Sequence, residues 1–168
     1  MRSMSGIFAS LMIAALPASA ADSDPGPVVE AFFSALRTGD STAVDSLVSE
    51  EALSMVETML DALRYAAESD PDGVGARLAA AGYAATADDL EDWSAREYLR
   101  RTVALPVMAA RYLPYEMTVG EPSYDGDRAV VPLSFTASSG FTLESEAVLD
   151  LEDGAWMVTG FMGLNSFP

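Results

Sequence analysis

Apolar and acidic residues mostly alternate in two neighbouring segments near the C-terminus, residues 141–152 and 155–161. This alternation has the period of a β-strand with one buried face and one face in water. The Asp-Gly pair between the segments favours a two-residue type I′ turn, because both turn positions need positive φ. The pattern therefore predicts a hairpin whose register places Ala147 opposite Gly160 on the inner face.

The same alternation extends upstream, so that residues 115–161 are predicted to form four consecutive antiparallel strands. Ser-Ser-Gly at residues 138–140 fits a three-residue hairpin loop with glycine in the left-handed position. This loop places Phe135 opposite Leu143, and the apolar residues of the strands then share one inner face. An antiparallel meander with one apolar face must be covered by another layer of structure.

Helical spacing replaces the alternation before residue 115, and this predicts the covering layer. A first helix is expected from Pro27 to Gly39. Thr42 and Asp45 resemble a capping box that opens a short second helix, and Ser49 should cap a longer third one. Further helices are predicted at residues 74–81, from the capping box at Ser94, and from Pro106.

The first twenty residues have the pattern of a secretory signal: Arg2, then an apolar block at residues 7–16, then a proline and Ala-Ser-Ala. Cleavage is predicted between Ala20 and Ala21, which would place the mature chain outside the cytoplasm, in the periplasm or secreted. The alternative is a buried first helix. Residues 21–26 would then form a short polar leader, and residues 27–168 a single domain.

The net charge of the chain limits the classes of partner that it is expected to bind. Nine basic residues, all arginine, stand against 26 acidic ones, and the formal net charge is −17. Such a surface offers no basic patch to nucleic acid or to an anionic membrane, so neither nucleic-acid binding nor stable membrane association is expected. It favours solubility and cationic partners.

The sequence contains no histidine and no cysteine. It therefore has no Ser-His-Asp triad, no Cys-His pair and no zinc site of the usual kind, and no cofactor is expected. Acid–base chemistry would fall to Asp, Glu or Tyr. The acidic turns at residues 70–73 and 125–127 are either calcium ligands or ordinary turns, and the missing calcium-loop spacing favours ordinary turns.

Four of the arginines lie close together in the sequence, and they are Arg96, Arg100, Arg101 and Arg111. They are either an anion site, because the arginine fork matches carboxylate and phosphate, or a helix face that balances neighbouring acids. The second interpretation is the one we favour.

Helices followed by a meander that ends in a Gly-x-Trp-x-Val-like segment, residues 154–158, resemble the NTF2-like, or cystatin-like, superfamily. The segment at residues 28–40, VVEAFFSALRTGD, is similar to the first helix of that superfamily. The resemblance implies an α+β cone, with N-terminal helices packed in the concave face of a four-stranded antiparallel meander. Some such proteins are isomerases or dehydratases, and many exported ones are binding or accessory domains.

We therefore expect an exported soluble domain that binds a small hydrophobic molecule or another protein without catalysis. The alternative is a small isomerase- or dehydratase-type enzyme acting on an apolar substrate. No catalytic, cofactor-binding or metal-binding residue can be assigned from the sequence, because no residue set matches such a site.

A hollow is predicted on the inner face of the sheet, where the small residues Ser145, Ala147 and Gly160 meet. Close packing requires either an aromatic filler from the helices (Phe32, Phe33 or Tyr98) or an open pocket. The expected lining residues of such a pocket are Phe33, Tyr98, Phe135, Leu143, Ser145, Ala147, Trp156 and Gly160.

The outer face of the sheet is predicted to be more apolar than a solvated face requires. The register places Thr159 beside Val148 and Phe161 beside Glu146 there. A weak homodimer through this face is expected, opposed by the crowded carboxylates and strengthened by salt.

Overall fold

The computed structural model describes residues 23–161, and the predicted signal sequence therefore lies outside the described residues. Within this part, helices come first and an antiparallel sheet follows. The helices are α1 Gly26–Thr38, α2 Ser41–Leu47, α3 Glu50–Ser69, α4 Pro71–Ala81, a 3₁₀ helix Asp88–Asp92, α5 Ala95–Val103 and α6 Pro106–Tyr112. The strands are β1 Tyr115–Val119, β2 Ser123–Asp125, β3 Arg128–Ala137, β4 Thr142–Glu152 and β5 Ala155–Gly160.

The helix boundaries follow the capping chemistry of the sequence. Gly39 takes a left-handed conformation, φ 68°, and ends α1. Ser49 accepts a hydrogen bond from the Ala52 N–H at 3.0 Å, as predicted for the cap of α3. The predicted capping role of Thr42 is wrong. Asp40 caps α2, because the chain leaves Gly39 already positioned to start a helix and the Asp40 carboxylate accepts from Ala43 N–H at 3.0 Å.

The sheet has the strand order β1-β3-β4-β5, all antiparallel, and the short β2 also pairs with β3. The prediction of four strands thus misses β2, which forms because the chain turns back at residues 126–127 and pairs Asp125 with Arg128. The apolar inner face packs against the helices, and β3 alternates buried and more exposed positions along its length. The predicted α+β architecture, a cone in which N-terminal helices pack against the apolar face of an antiparallel sheet, is confirmed.

Both predicted turns are confirmed. Asp153 and Gly154 have positive φ, 49° and 84°, as a type I′ turn requires. The loop at residues 138–140 places Phe135 opposite Leu143, as predicted. The inner-face register of β3 and β4 could therefore be derived from turn chemistry alone.

The β4–β5 register departs from prediction beyond Leu149. A β-bulge at this point pairs Val148 with Gly160, and Thr159 is the extra residue. The predicted pairing of Ala147 with Gly160 is wrong for this reason. The bulge directs the Thr159 hydroxyl to Ser49 Oγ, 2.9 Å away, and this side chain is buried instead of lying on the outer face.

The bulge also reverses the direction of Phe161, which was predicted on the outer face. Its ring lies in the core, with its centroid 5.2 Å from that of Phe32 and 5.9 Å from that of Phe135. Only 5% of Phe161 is exposed. The interior of the cone is thus completed by a residue that follows the last strand.

Among residues 23–161, no helix combines the length and the apolar character that crossing a bilayer would require.

Candidate functional site

Aromatic rings occupy the interior of the cone. Phe33 from α1 packs edge-to-face on Phe135 of β3, with centroids 5.5 Å apart, and on Tyr112 of α6 at 6.2 Å. Phe161 contacts the same group. Phe33, one of the predicted helix-borne fillers, thus lies in this interior, and Phe161 is a further aromatic residue there that sequence reasoning placed elsewhere.

The predicted lining residues have different surroundings in the structure. Phe33, Phe135, Ala147 and Trp156 are buried in the core between helices and sheet. Ser145 is half-buried, whereas Leu143 is 37% exposed. Gly160 lies beside the Val148 side chain, because of the bulge. None of these residues lines any of the three clefts described below.

Tyr98, the remaining predicted residue, belongs to a separate aromatic cluster with Tyr83 and Trp93. The Tyr83 hydroxyl lies 2.6 Å from the Thr102 hydroxyl, and burial raises the pKa of both Tyr83 and Tyr98. Both phenols therefore stay protonated at neutral pH, and neither is suited to act as a general base. The cluster stabilises the helical layer.

Three of the four clustered arginines bind acids of their own chain. Arg96 Nη1 donates to Asp45 Oδ1 at 3.1 Å, and Arg100 Nε donates to Asp45 Oδ2 at 3.0 Å. Arg101 pairs with Glu97 at 2.7 Å. This is the balancing role favoured from the sequence. Sequence reasoning did not identify Asp45 as the partner, since the arginines follow it by 51 and 55 positions.

The acidic turns have structural roles. The Asp70 carboxylate caps α4 by accepting from Gly73 N–H at 3.0 Å, and the backbone of Asp125 pairs with that of Arg128 across the β2–β3 turn. Within residues 23–161, no group of three or more acidic, histidine or cysteine side chains is arranged to hold a metal ion.

Open space occurs at the end of the cone, where α1, the α6–β1 junction and the end of β3 meet. We name this cleft, of about 330 Å³, the Arg37 cleft. Its lining residues are Arg37, Leu113, Pro114, Tyr115, Glu116, Thr136, Ala137 and Ser138.

Arg37 supplies the positive charge of this cleft. It lies half-buried in the last turn of α1, and its guanidinium carbon is 5.6 Å from the centroid of the Phe33 ring. Among the described residues it forms no salt bridge, unlike Arg96 and Arg100. Leu113, 55% exposed, supplies an apolar wall. No sequence signal marks this site, because its walls come from three distant segments.

Two further clefts lack a cationic side chain. One, of about 330 Å³, lies between the start of α1 and the end of β1, and it carries Asp24, Glu30 and Glu121. The other, of about 300 Å³, lies beside α4 and carries Asp72 and Asp88. The Arg37 cleft thus differs from both in its electrostatic character.

Comparison of sequences finds no match among known proteins, whereas comparison of structures does. No protein-family model matches the chain, and no curated protein matches it either. A solved structure from Campylobacter jejuni, a proposed NTF2-like transpeptidase, is similar at 16% sequence identity and a TM-score of 0.41, over 81% of this chain and 97% of that one.

Proposed function

We propose that this chain is an exported binding domain without catalytic activity, and that its small-molecule ligand occupies the Arg37 cleft. The proposal rests on the contrast between the packed interior of the cone and the open cleft at its end. The interior holds Phe33, Phe135 and Phe161, whereas the space at its end is open beside an arginine that has no acidic partner among residues 23–161.

The walls of the cleft define the ligand chemistry. A guanidinium fork binds carboxylate or phosphate through paired hydrogen bonds, which the flexible ammonium of lysine does not reproduce. Leu113 and Ala137 add apolar surface, and Tyr115 adds a phenol. The ligand that fits is a small molecule with one anionic group and an apolar body. Such pockets commonly combine apolar walls with a few polar groups.

The alternative, an isomerase- or dehydratase-type enzyme, requires an acid or base facing a substrate cavity. The three tyrosines whose pKa is raised by burial, Tyr83, Tyr98 and Tyr112, line none of the three clefts. Tyr115 and Glu116 do line the Arg37 cleft, so the preference for binding rests on the aromatic packing of the interior, and the turnover measurement below decides between the two.

Titration of the mature protein with octanoate, followed by calorimetry, tests the proposal. Octanol serves as the uncharged probe of similar length. We expect octanoate to bind more tightly than octanol, and Arg37→Gln to weaken octanoate binding about tenfold, as expected for a lost charge-assisted pair. The matched control is Arg77→Gln, which removes an exposed arginine from α4.

Equal octanoate binding by Arg37→Gln and the unsubstituted protein would refute the proposed site. Turnover of an apolar substrate by the mature protein, lost on substitution of a tyrosine, would establish the enzymatic alternative.

A further inference from the structure

Part of β4 has a free edge. β4 spans Thr142–Glu152, but its pairing with β5 covers only residues 148–152. Residues 142–147 therefore have β3 on one side and, within the part of the chain that the structure describes, no strand on the other. Every second residue of an antiparallel edge directs its N–H and C=O outward, and such an edge is a template for another strand.

The outer edge of β5, the last strand of the sheet, is covered by another part of the chain. Val158 of β5 forms a parallel bridge with Val48, and its carbonyl accepts from Ser49 N–H at 3.0 Å. The Glu152 carboxylate accepts from Glu50 N–H at 3.0 Å. The α2–α3 junction thus covers β5, so that the free edge begins where β5 ends.

The two faces of the free segment differ in chemistry. Leu143 lies on the inner face opposite Phe135 and is 37% exposed, and Phe141, two positions earlier, is 59% exposed. Glu144 and Glu146 lie on the outer face and are exposed. A strand added here would place alternate side chains against apolar groups and against carboxylates.

We infer that this edge receives an extended peptide of a partner protein in which apolar and basic residues alternate. The peptide continues the line of β5, its backbone pairing with residues 142–147, its apolar side chains contacting Phe141 and Leu143, and its basic side chains facing Glu144 and Glu146. Strand addition of this kind obtains affinity from main-chain hydrogen bonds and specificity from alternate side chains.

Charge complementarity selects this occupant over a second copy of the chain. Another copy would bring the same pair of glutamates to the contact and a formal net charge of −17. Like charges at an interface oppose association, whereas a basic strand satisfies both carboxylates. The inference is independent of the proposed ligand site, since none of Phe141, Leu143, Glu144 and Glu146 lines the Arg37 cleft.

The test uses the full mature chain and a short peptide with blocked ends that alternates valine and lysine. NMR amide shifts should change at residues 142–147 on addition of the peptide, and hydrogen exchange there should slow. The same peptide methylated on every backbone nitrogen should not bind, because it has no N–H group left to donate to the ladder from either side. Replacing its lysines with glutamate should also abolish binding.

Substitutions in the protein test whether the peptide binds beside Glu144 and Glu146. The double substitution Glu144→Lys and Glu146→Lys should weaken binding about tenfold. The double substitution Glu30→Lys and Glu68→Lys changes net charge equally at exposed helix positions and should leave binding unchanged.

Three results would overturn the inference. Binding that is insensitive to the Glu144 and Glu146 changes would place the peptide elsewhere. Binding that appears only after removal of residues 162–168 would mean that the chain itself occupies the edge. Protection of residues 142–147 that rises with protein concentration, without peptide, would assign the edge to a second copy.

Discussion

Arg100 and Asp45 join α5 to α2 through a hydrogen bond of 3.0 Å from Arg100 Nε to Asp45 Oδ2. Arg96 binds the other carboxylate oxygen of Asp45. The Asp45 side chain is only 8% exposed, whereas the two arginines keep nearly half of their side-chain surface in solvent. The carboxylate is thus the buried member of the network, and the guanidinium groups bring its compensating charge from the surface.

Replacing Asp45 with alanine should lower the free energy of unfolding by about 1–3 kcal/mol. The loss is smaller than for a fully buried ion pair, because both arginines regain hydration. Urea unfolding measures the change. Asp61→Ala, which removes an exposed partner of Arg64, should cost less than about 1 kcal/mol. Equal losses for the two variants would contradict the interpretation.

Phe161 and Gly160 are adjacent, but the bulge predicts a large loss of stability for substitution of the first and almost none for the second. Phe161→Ala should lower the free energy of unfolding by about 3–5 kcal/mol, because it empties a contact site of four aromatic rings. Gly160→Ala should change it by less than about 0.5 kcal/mol, since a Cβ there would meet Val148 no closer than 3.5 Å. Thermal and urea unfolding compare the two, and a larger loss for Gly160→Ala would exclude the observed register.

The β4–β5 hairpin shows which features can be predicted from the sequence and which cannot. The Asp153-Gly154 turn could be predicted because positive φ at both positions is a local requirement. The bulge depends on Thr159 reaching Ser49, which is a contact between distant segments. A glycine in a strand often marks a β-bulge, and Gly160, next to the extra residue Thr159, is such a glycine. Neither Asp45 nor the Arg37 cleft has such a local signal, because their neighbours come from remote parts of the chain.

Asp150 should make stability depend on pH in acid. The hydrogen bond from Arg128 lowers the pKa of Asp150 in the folded state, and burial opposes this only in part. A carboxylate with a lowered folded-state pKa stabilises the protein above its unfolded-state pKa of about 3.9, and this contribution is lost as pH falls through the folded-state pKa.

The unfolding free energy of Asp150→Asn, compared with that of the unsubstituted protein from about pH 7 to about pH 2, measures this contribution. The difference should be largest near neutrality and shrink in acid. Arg128→Gln should remove much of the same pH dependence, because it removes the group that lowers the pKa. A difference that stays constant with pH would disprove the assignment.

Cleavage between Ala20 and Ala21 remains a prediction. Expression of the whole sequence with a C-terminal tag, followed by N-terminal sequencing of the exported product, should give a chain that begins at Ala21. Leu11→Arg, which breaks the apolar block, should retain the precursor. An exported product beginning at Met1 would contradict the prediction.

Weak dimerisation through the outer sheet face also remains a prediction, now resting on Val130, Pro132, Val148 and Met157, because Phe161 faces the core. Salt should strengthen it by screening the acidic surface. Sedimentation velocity from about 0.1 M to about 1 M NaCl measures it, with Met157→Glu as the disrupting variant. A monomer at every salt and protein concentration would exclude the dimer.

The contact between Ser49 and Thr159 spans 110 positions of the chain. Ser49 is synthesised 110 residues before Thr159, so the helical layer has no complete β5 to pack against until Thr159 has left the ribosome. Contacts of such high sequence separation close slowly. The helical layer therefore stays incomplete throughout the synthesis of the sheet.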